Sequence, residues 1–266
     1  MIATKKQAIF KHLLLKNKLS IALIGGGSWA TALAKILCEN KRKIGWYMRN
    51  EDNISFIEKH HHNPNYLSSA RLSVKRLNIS SDINKIVDTA DIIILAVPSA
   101  FLSKELNKIR ISIKDKIIFS AVKGVIPESM LIVGEHLNQK FGVPTEKIGV
   151  IAGPCHAEEV AMERLSYLTV ACVDSMMAKV VASMLKTKYI RTKTSNDIIG
   201  TEYAAMLKNI YAIAAGIAQA LNYGDNFQSV LMSNSIREMK RFIKDVYNMK
   251  RNINNSAYLG DLLVTG

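Results

Sequence analysis

Two lysines and a run of glycines are the residues of this chain whose types and surroundings can do chemistry. Lys208 lies in Ala204-Ala205-Met206-Leu207-Lys208-Asn209-Ile210-Tyr211-Ala212, a helix pattern that is apolar on nearly every face and therefore predicts burial. A buried ammonium is costly unless something pairs with it, and burial lowers its pKa toward the range useful for proton transfer at neutral pH. Its i−4 and i+4 neighbours, Ala204 and Ala212, leave room beside the amine for a ligand. Lys123, in Ala121-Val122-Lys123-Gly124, follows an apolar run, so it is expected at a strand end where it meets a substrate or cofactor.

The glycines lie in Ile21 to Ala34, IALIGGGSWATALA, where an apolar run breaks and then resumes as an apolar-periodic segment without proline. That is how a strand hands over to a helix around a phosphate. Gly25 can turn where a Cβ would clash, Gly27 lets backbone approach a pyrophosphate, and Ala30 permits close helix–strand packing. The helix is predicted to begin near Trp29, aiming free N–H groups and its positive dipole end at the anion. A second strand, Lys43 to Met48, arrives where a βαβ unit requires it. The acidic residue that usually binds the ribose 2′-hydroxyl after that strand is missing, and Tyr47, Met48 and Arg49 fill the zone. Arg49 can stack on adenine or pair with a 2′-phosphate, which leaves NADH and NADPH both open.

Strand-like apolar runs recur at Asp91 to Val97, Lys116 to Ala121, Ile148 to Ala152 and Leu168 to Val173, separated by helix patterns. This alternation predicts an α/β fold, a Rossmann-like doubly wound parallel sheet with helices on both faces. The segments Ala96-Val97-Pro98-Ser99, Ala121-Val122-Lys123-Gly124 and Ala152-Gly153-Pro154-Cys155-His156-Ala157 close three of these strands and should converge with the glycine loop on one crevice. From about Asn196 the texture changes to two long helix patterns, Thr201 to Leu221 and Asn226 to Met249, with no strand signal until Leu262. We therefore expect a basic N-terminal extension over 1–18, a dinucleotide-binding domain over 19–195 and a helical substrate domain over 196–266, with Thr192 to Asn196 as a polar joint.

The 266 residues, 48% of them hydrophobic, suffice for a sizeable core, and the apolar runs fall short of the ~20 residues a membrane-spanning helix needs. The net charge of +14 is spread along the chain, without a nucleic-acid signature, and so suits small anions better than DNA or RNA. Cys38, Cys155 and Cys172 show no CxxC spacing, which indicates neither a disulfide framework nor a zinc site and fits a cytoplasmic protein. His60-His61-His62, before Asn63-Pro64-Asn65, reads as a solvated loop and not as a metal site.

GGGSWATALA, AVPS, AVKG, AGPCHAEEVA, LKN, NYGDNF and LGDLLVT occur in the order and at the spacing of one family: over roughly residues 19–266 the chain resembles bacterial NAD(P)-dependent glycerol-3-phosphate dehydrogenase. The resemblance implies NAD(H) or NADP(H) as cofactor, reduction of dihydroxyacetone phosphate to sn-glycerol 3-phosphate for phospholipid synthesis, and a homodimer. It further implies that Ser28, Trp29, Arg49 and Ala157 contact the dinucleotide, that Lys123 touches cofactor and substrate, and that Gly153 and Cys155 line the substrate pocket. Lys208 would be the proton-transfer residue and Asp261 its substrate-side neighbour. Cys155 stands where the family commonly has Ser or Thr, a stronger hydrogen-bond donor. The family continues past Leu262-Leu263-Val264-Thr265-Gly266 with a Ser-Arg-Asn segment whose arginine clamps the substrate phosphate, and the helix over Thr201 to Leu221 is then expected to expose an apolar face. Two other functions remain open at this point: a protein that binds NAD(P) without turnover, and a related β-hydroxyacid dehydrogenase.

Overall fold

The run Ile21–Ile24, four fully buried apolar residues, is the central strand β1, and Ser28–Glu39 after the glycines is helix α1. The chain then lays down β2 (Ile44–Tyr47), α2 (Glu51–His60), β3 (Leu77–Ser80), α3 (Ile83–Asp88), β4 (Ile92–Leu95), α4 (Ser99–Leu106) and β5 (Ile117–Ser120). A small hairpin of β6 (Val125–Ile126) and β7 (Leu131–Ile132) leads into α5 (Val133–Phe141) and β8 (Ile148–Ala152). There follow α6 (Ala157–Ala161), β9 (Ser166–Cys172), α7 (Ser175–Leu185) and β10 (Ile190–Ser195), then the long helices α8 (Ile198–Ala220) and α9 (Gly224–Val246). A π-helical turn at Ser256–Gly260 runs into α10 (Asp261–Thr265). This computed structural model describes residues 19–40 and 42–265; the basic segment 1–18 lies outside them.

The eight long strands form one sheet in the order β10-β9-β8-β5-β4-β1-β2-β3. Alternate residues of each strand feed different cores, as period-two side chains must. Ile21 and Leu23 join Trp46, Ile92 and Ile94 under α1 and α7, while Ala22 and Ile24 join Ile93 and Leu95 under α3, α4 and α5. From β3 to β8 all neighbours are parallel, the arrangement expected of a doubly wound sheet.

The strand expected at Leu168 to Val173 departs from it, because β9 runs antiparallel to β8, with Ala152 opposite Thr169. The connection folds back on itself through the short α6 and a left-handed turn at Glu163 (φ 58°), so it returns the chain at the end of the sheet it left. A parallel neighbour would need a crossover to the opposite end. Thr192 to Asn196, expected as a polar joint, is largely β10, parallel to β9. It is polar because an edge strand has one exposed flank. Leu262, expected as a strand signal, is helical: it is fully buried in a cluster with Ala204, Leu207 and Tyr211 of α8, while Leu263 and Val264 remain exposed. Just past His60-His61-His62, the run expected to be solvated and of which His60 and His61 are exposed, Asn63 is fully buried. Its amide donates to the Gly26 carbonyl and the Thr31 hydroxyl, and its Oδ1 accepts from the Asn65 and Tyr66 amides.

The C-terminal turns are tied to the sheet by Asp197, the N-cap of α8. Its Oδ1 accepts from the Gly200 amide at 3.0 Å and Arg251 Nη2 at 3.1 Å, and its Oδ2 from Arg251 Nε and the Tyr258 hydroxyl, both at 2.5 Å. Asp197 and Arg251 side chains are only 5% and 7% exposed, so removing one strands the other in the interior. Asp197→Ala is expected to lower the unfolding free energy by about 3–5 kcal/mol in a denaturant titration, and a loss below about 1 kcal/mol would contradict the clasp.

Candidate active site

The glycine loop begins where β1 ends. Gly25 has φ +130°, and a Cβ there would lie 2.3 Å from the Ala96 carbonyl oxygen, so only glycine lets β1 pass this close to the end of β4. The loop is held by Trp46 Nε1, which donates to the Gly25 carbonyl at 2.6 Å, and by Asn63 on Gly26. A Cβ on Gly27 would meet nothing within 4 Å, which leaves open space directly before α1. That helix has neither a side-chain cap nor an acidic residue in its first turn, so its leading N–H groups are free for an anion. The three glycines, Met48, Arg49, Asn53, Tyr66, Pro98 and Glu105 line one cleft of about 330 Å³. An open cradle, uncapped helix amides and a cleft along the carboxyl ends of β1, β2 and β4 fit a dinucleotide. Gly25→Ala introduces backbone strain of about 1–3 kcal/mol. We expect NADH binding to weaken at least about tenfold, and an unchanged affinity in a fluorescence titration would contradict the assignment.

The residues singled out from the sequence distribute as follows. Gly25, Gly27 and Arg49 line the cleft, with Arg49 Nε 3.8 Å from Glu105 Oε1. Ser28 lines an adjoining recess with Tyr66, Glu158 and Met162. Ala30 is fully buried in the first turn of α1, Trp29 packs against the same core, and Ala157, at 8% exposure, does so from the first turn of α6. Gly153 (φ +126°) is buried, and a Cβ would sit 2.8 Å from the Tyr167 carbonyl oxygen, so its immediate task is to let β8 turn beside β9.

Lys208, Lys123, Cys155 and Asp261 come together beyond the carboxyl ends of β5 and β8. Lys208 is 3% exposed in the middle of α8. Its Nζ donates to Asp261 Oδ1 at 2.5 Å and to the Thr265 hydroxyl at 3.1 Å, contacts that α10 brings from 53 and 57 residues away. Burial pushes the Lys208 ammonium down to about 8; Asp261 opposes that fall, and the nearby Lys123 adds to it. Asp261 is 1% exposed, and its Oδ2 has no protein partner, which leaves an acceptor for a ligand hydroxyl. Lys123 is exposed at the end of β5 and is near enough to act electrostatically on both Lys208 and Cys155. Burial pushes the Cys155 thiol up to about 12, so it is present as a neutral, weak donor.

The chain that carries this glycine cradle and this buried Lys–Asp pair matches known proteins over most of its length. A family model described as the NAD-dependent glycerol-3-phosphate dehydrogenase N-terminus matches residues 20–178, and one for the C-terminus matches residues 197–266. The chain belongs to this family. Glycerol-3-phosphate dehydrogenase (NAD(P)+) of Macrococcus caseolyticus is 33% identical over 249 residues, covering 93% of this chain and 75% of that protein. The protein of the same name from Pseudomonas syringae pv. syringae is 33% identical over 245 residues, 92% of this chain and 71% of that one. A crystal structure of glycerol-3-phosphate dehydrogenase from Coxiella burnetii superimposes with a TM-score of 0.83 at 27% identity, covering 93% of this chain and 75% of that chain.

Sequence reasoning missed two residues of this site. Asn63, which buttresses the glycine loop, was masked by its Asn-Pro-Asn surroundings. Glu105 lines the glycine-loop cleft at 2% exposure, and its one sequence signal is a charge spaced three from Leu102 on the buried face of α4. Among the described residues no group of three or more His, Cys, Asp or Glu could hold a metal, and no helix is long and apolar enough to cross a membrane.

Proposed function

We propose that this family member reduces dihydroxyacetone phosphate to sn-glycerol 3-phosphate, the building block of phospholipids, with the sheet (19–195) holding NAD(H) or NADP(H) and the helical part (196–266) completing the substrate pocket. The observation that carries this reading is the buried Lys208–Asp261 pair, with Lys123 at the end of β5 close enough to act on it. When bound, the nicotinamide exchanges a hydride with C2 of the substrate. Lys208, as ammonium, gives a proton to the C2 carbonyl oxygen in reduction and, as amine, takes the hydroxyl proton in oxidation. Asp261 Oδ1 holds the Lys208 amine, and its free Oδ2 can accept from a substrate hydroxyl. Lys123, the exposed cation of the cluster, orients the oxygen or the phosphate and stabilises negative charge there. Cys155, close enough to feel the charges of Lys123 and Asp261, has a proton to donate.

The test is NADH or NADPH oxidation by the purified chain with dihydroxyacetone phosphate beside a panel of carboxylate-bearing β-keto acids. Oxidation that requires the phosphate substrate supports the reading. Turnover of the keto acids alone would mean a β-hydroxyacid dehydrogenase, and dinucleotide binding without turnover on any substrate would mean a binding protein.

Assembly as a homodimer in the cytoplasm is part of the same proposal. The expected apolar face on α8 takes the form of Ile210, Ile213, Ile217 and Leu221, each more than half exposed and spaced three or four apart, a stripe suited to covering by another chain. Light scattering at twice the chain mass supports it, and a monomer refutes it. The thiols of Cys38, Cys155 and Cys172 are all free, as a reducing compartment keeps them.

A further inference from the structure

We propose that Glu105 supplies the ribose acceptor that the end of β2 lacks, and that it thereby sets a preference for NADH over NADPH. The proposal rests on the dinucleotide reading of the cleft given above. In this fold the adenosine ribose lies at the carboxyl end of β2, where an acidic side chain ordinarily receives its 2′-hydroxyl. Here that strand ends Tyr47-Met48-Arg49, without an acid.

An acid reaches the same place from α4 instead. Glu105 is 2% exposed, on a helix face it shares with the buried Leu102 and Leu106, and it lines the cleft together with the three glycines, Tyr47, Met48 and Arg49. Its two oxygens are treated very differently. Oε2 accepts from the Tyr47 hydroxyl at 2.6 Å and from Lys108 Nζ at 2.8 Å. Oε1 accepts no hydrogen bond at all; its cation, Arg49 Nε, stands off at 3.8 Å on a side chain 64% exposed. A buried carboxylate oxygen left without a donor is unfavourable, and one that borders a ligand cleft is completed by a donor the ligand brings.

The chemistry of that donor separates the two cofactors. A ribose 2′-hydroxyl has a proton to give to Oε1. A 2′-phosphate at neutral pH has none, and it would set an anion against a buried carboxylate in a region of low dielectric. Of the cations near Glu105, Lys108 already donates to Oε2 and Arg49 faces Oε1 from 3.8 Å. Arg49 thus balances Glu105, and the 2′-phosphate contact left open by the sequence is disfavoured by a residue 56 positions further along the chain (105 − 49).

Fluorescence titration of the wild-type protein with NADH, NADPH and the analogue of NADH lacking the adenosine 2′-hydroxyl tests this directly. NADH is expected to bind about tenfold more tightly than either of the others. In E105Q, which removes the charge and keeps the shape, the NADPH-to-NADH affinity ratio is expected to rise about tenfold. Equal wild-type affinity for NADH and the deoxy analogue, or an E105Q variant that weakens NADH and NADPH by the same factor, would overturn the proposal while leaving the dinucleotide reading intact. Should E105Q fail to fold, the wild-type comparison decides alone. If the wild type bound neither dinucleotide, the reading of the cleft would fall, and this proposal with it.

Discussion

Lys208→Ala is expected to slow dihydroxyacetone phosphate reduction by about 10³-fold while NADH affinity stays within about twofold of wild type. The size follows from the place of the amine. Lys208 lies deep in the interior at 3% exposure, with Asp261 and the Thr265 hydroxyl fixing its Nζ, so no water-borne acid can readily stand in for it. Alanine removes the proton donor and leaves the cofactor cleft, lined by other elements, untouched. The substitution also leaves Asp261 buried without its partner, which destabilises the helical part. A lost fold and a lost acid are separated by adding a small primary amine: partial recovery of rate marks the missing proton carrier, which no amine could restore in an unfolded protein. A variant that retained more than about a tenth of the wild-type rate would exclude Lys208 from proton transfer.

Asp261→Asn is expected to be the second largest effect, a loss of about 10²-fold near pH 8 with substantial recovery in more acidic solution. Asp261 is the one contribution that holds the Lys208 pKa up against burial and against Lys123. With the anion neutralised, the Lys208 pKa falls further. At a given pH less of it is ammonium, and less can protonate the carbonyl oxygen. Acidification restores the ammonium, so the recovery should follow pH. A variant slowed equally at every pH would assign Asp261 to substrate contact alone, through its free Oδ2.

The sequence made the local chemistry readable and concealed what distant segments bring to it. The glycine turn, the start of α1 and the isolation of Lys208 in an apolar helix are all set by neighbours within a turn or two, and each signal survives in a single chain. Asp261 as the partner of Lys208 could be named only through family resemblance, because 53 residues separate them and no periodicity links α8 to α10. Glu105 was invisible as a site residue for a similar reason: it answers a vacancy at β2 from the helix after β4. Strand direction was misread at β9, since its apolar run is the same whichever way it points, and the decisive feature is the folded-back connection through α6 and Glu163. At β10 polarity suggested a linker, although Ile190 alternates with exposed Arg191 as an edge strand should.

The most direct test of the account is the pH dependence of kcat/KM in both directions, with dihydroxyacetone phosphate and NADH in one and glycerol 3-phosphate and NAD+ in the other. Reduction needs Lys208 protonated and oxidation needs it unprotonated, so reduction is expected to fall, and oxidation to rise, as pH passes through about 8, the value to which burial lowers this lysine. Both limbs should vanish in Lys208→Ala. Profiles that are flat through this range, or that move in the same direction for both reactions, would contradict the assignment of Lys208 as the residue that carries the proton.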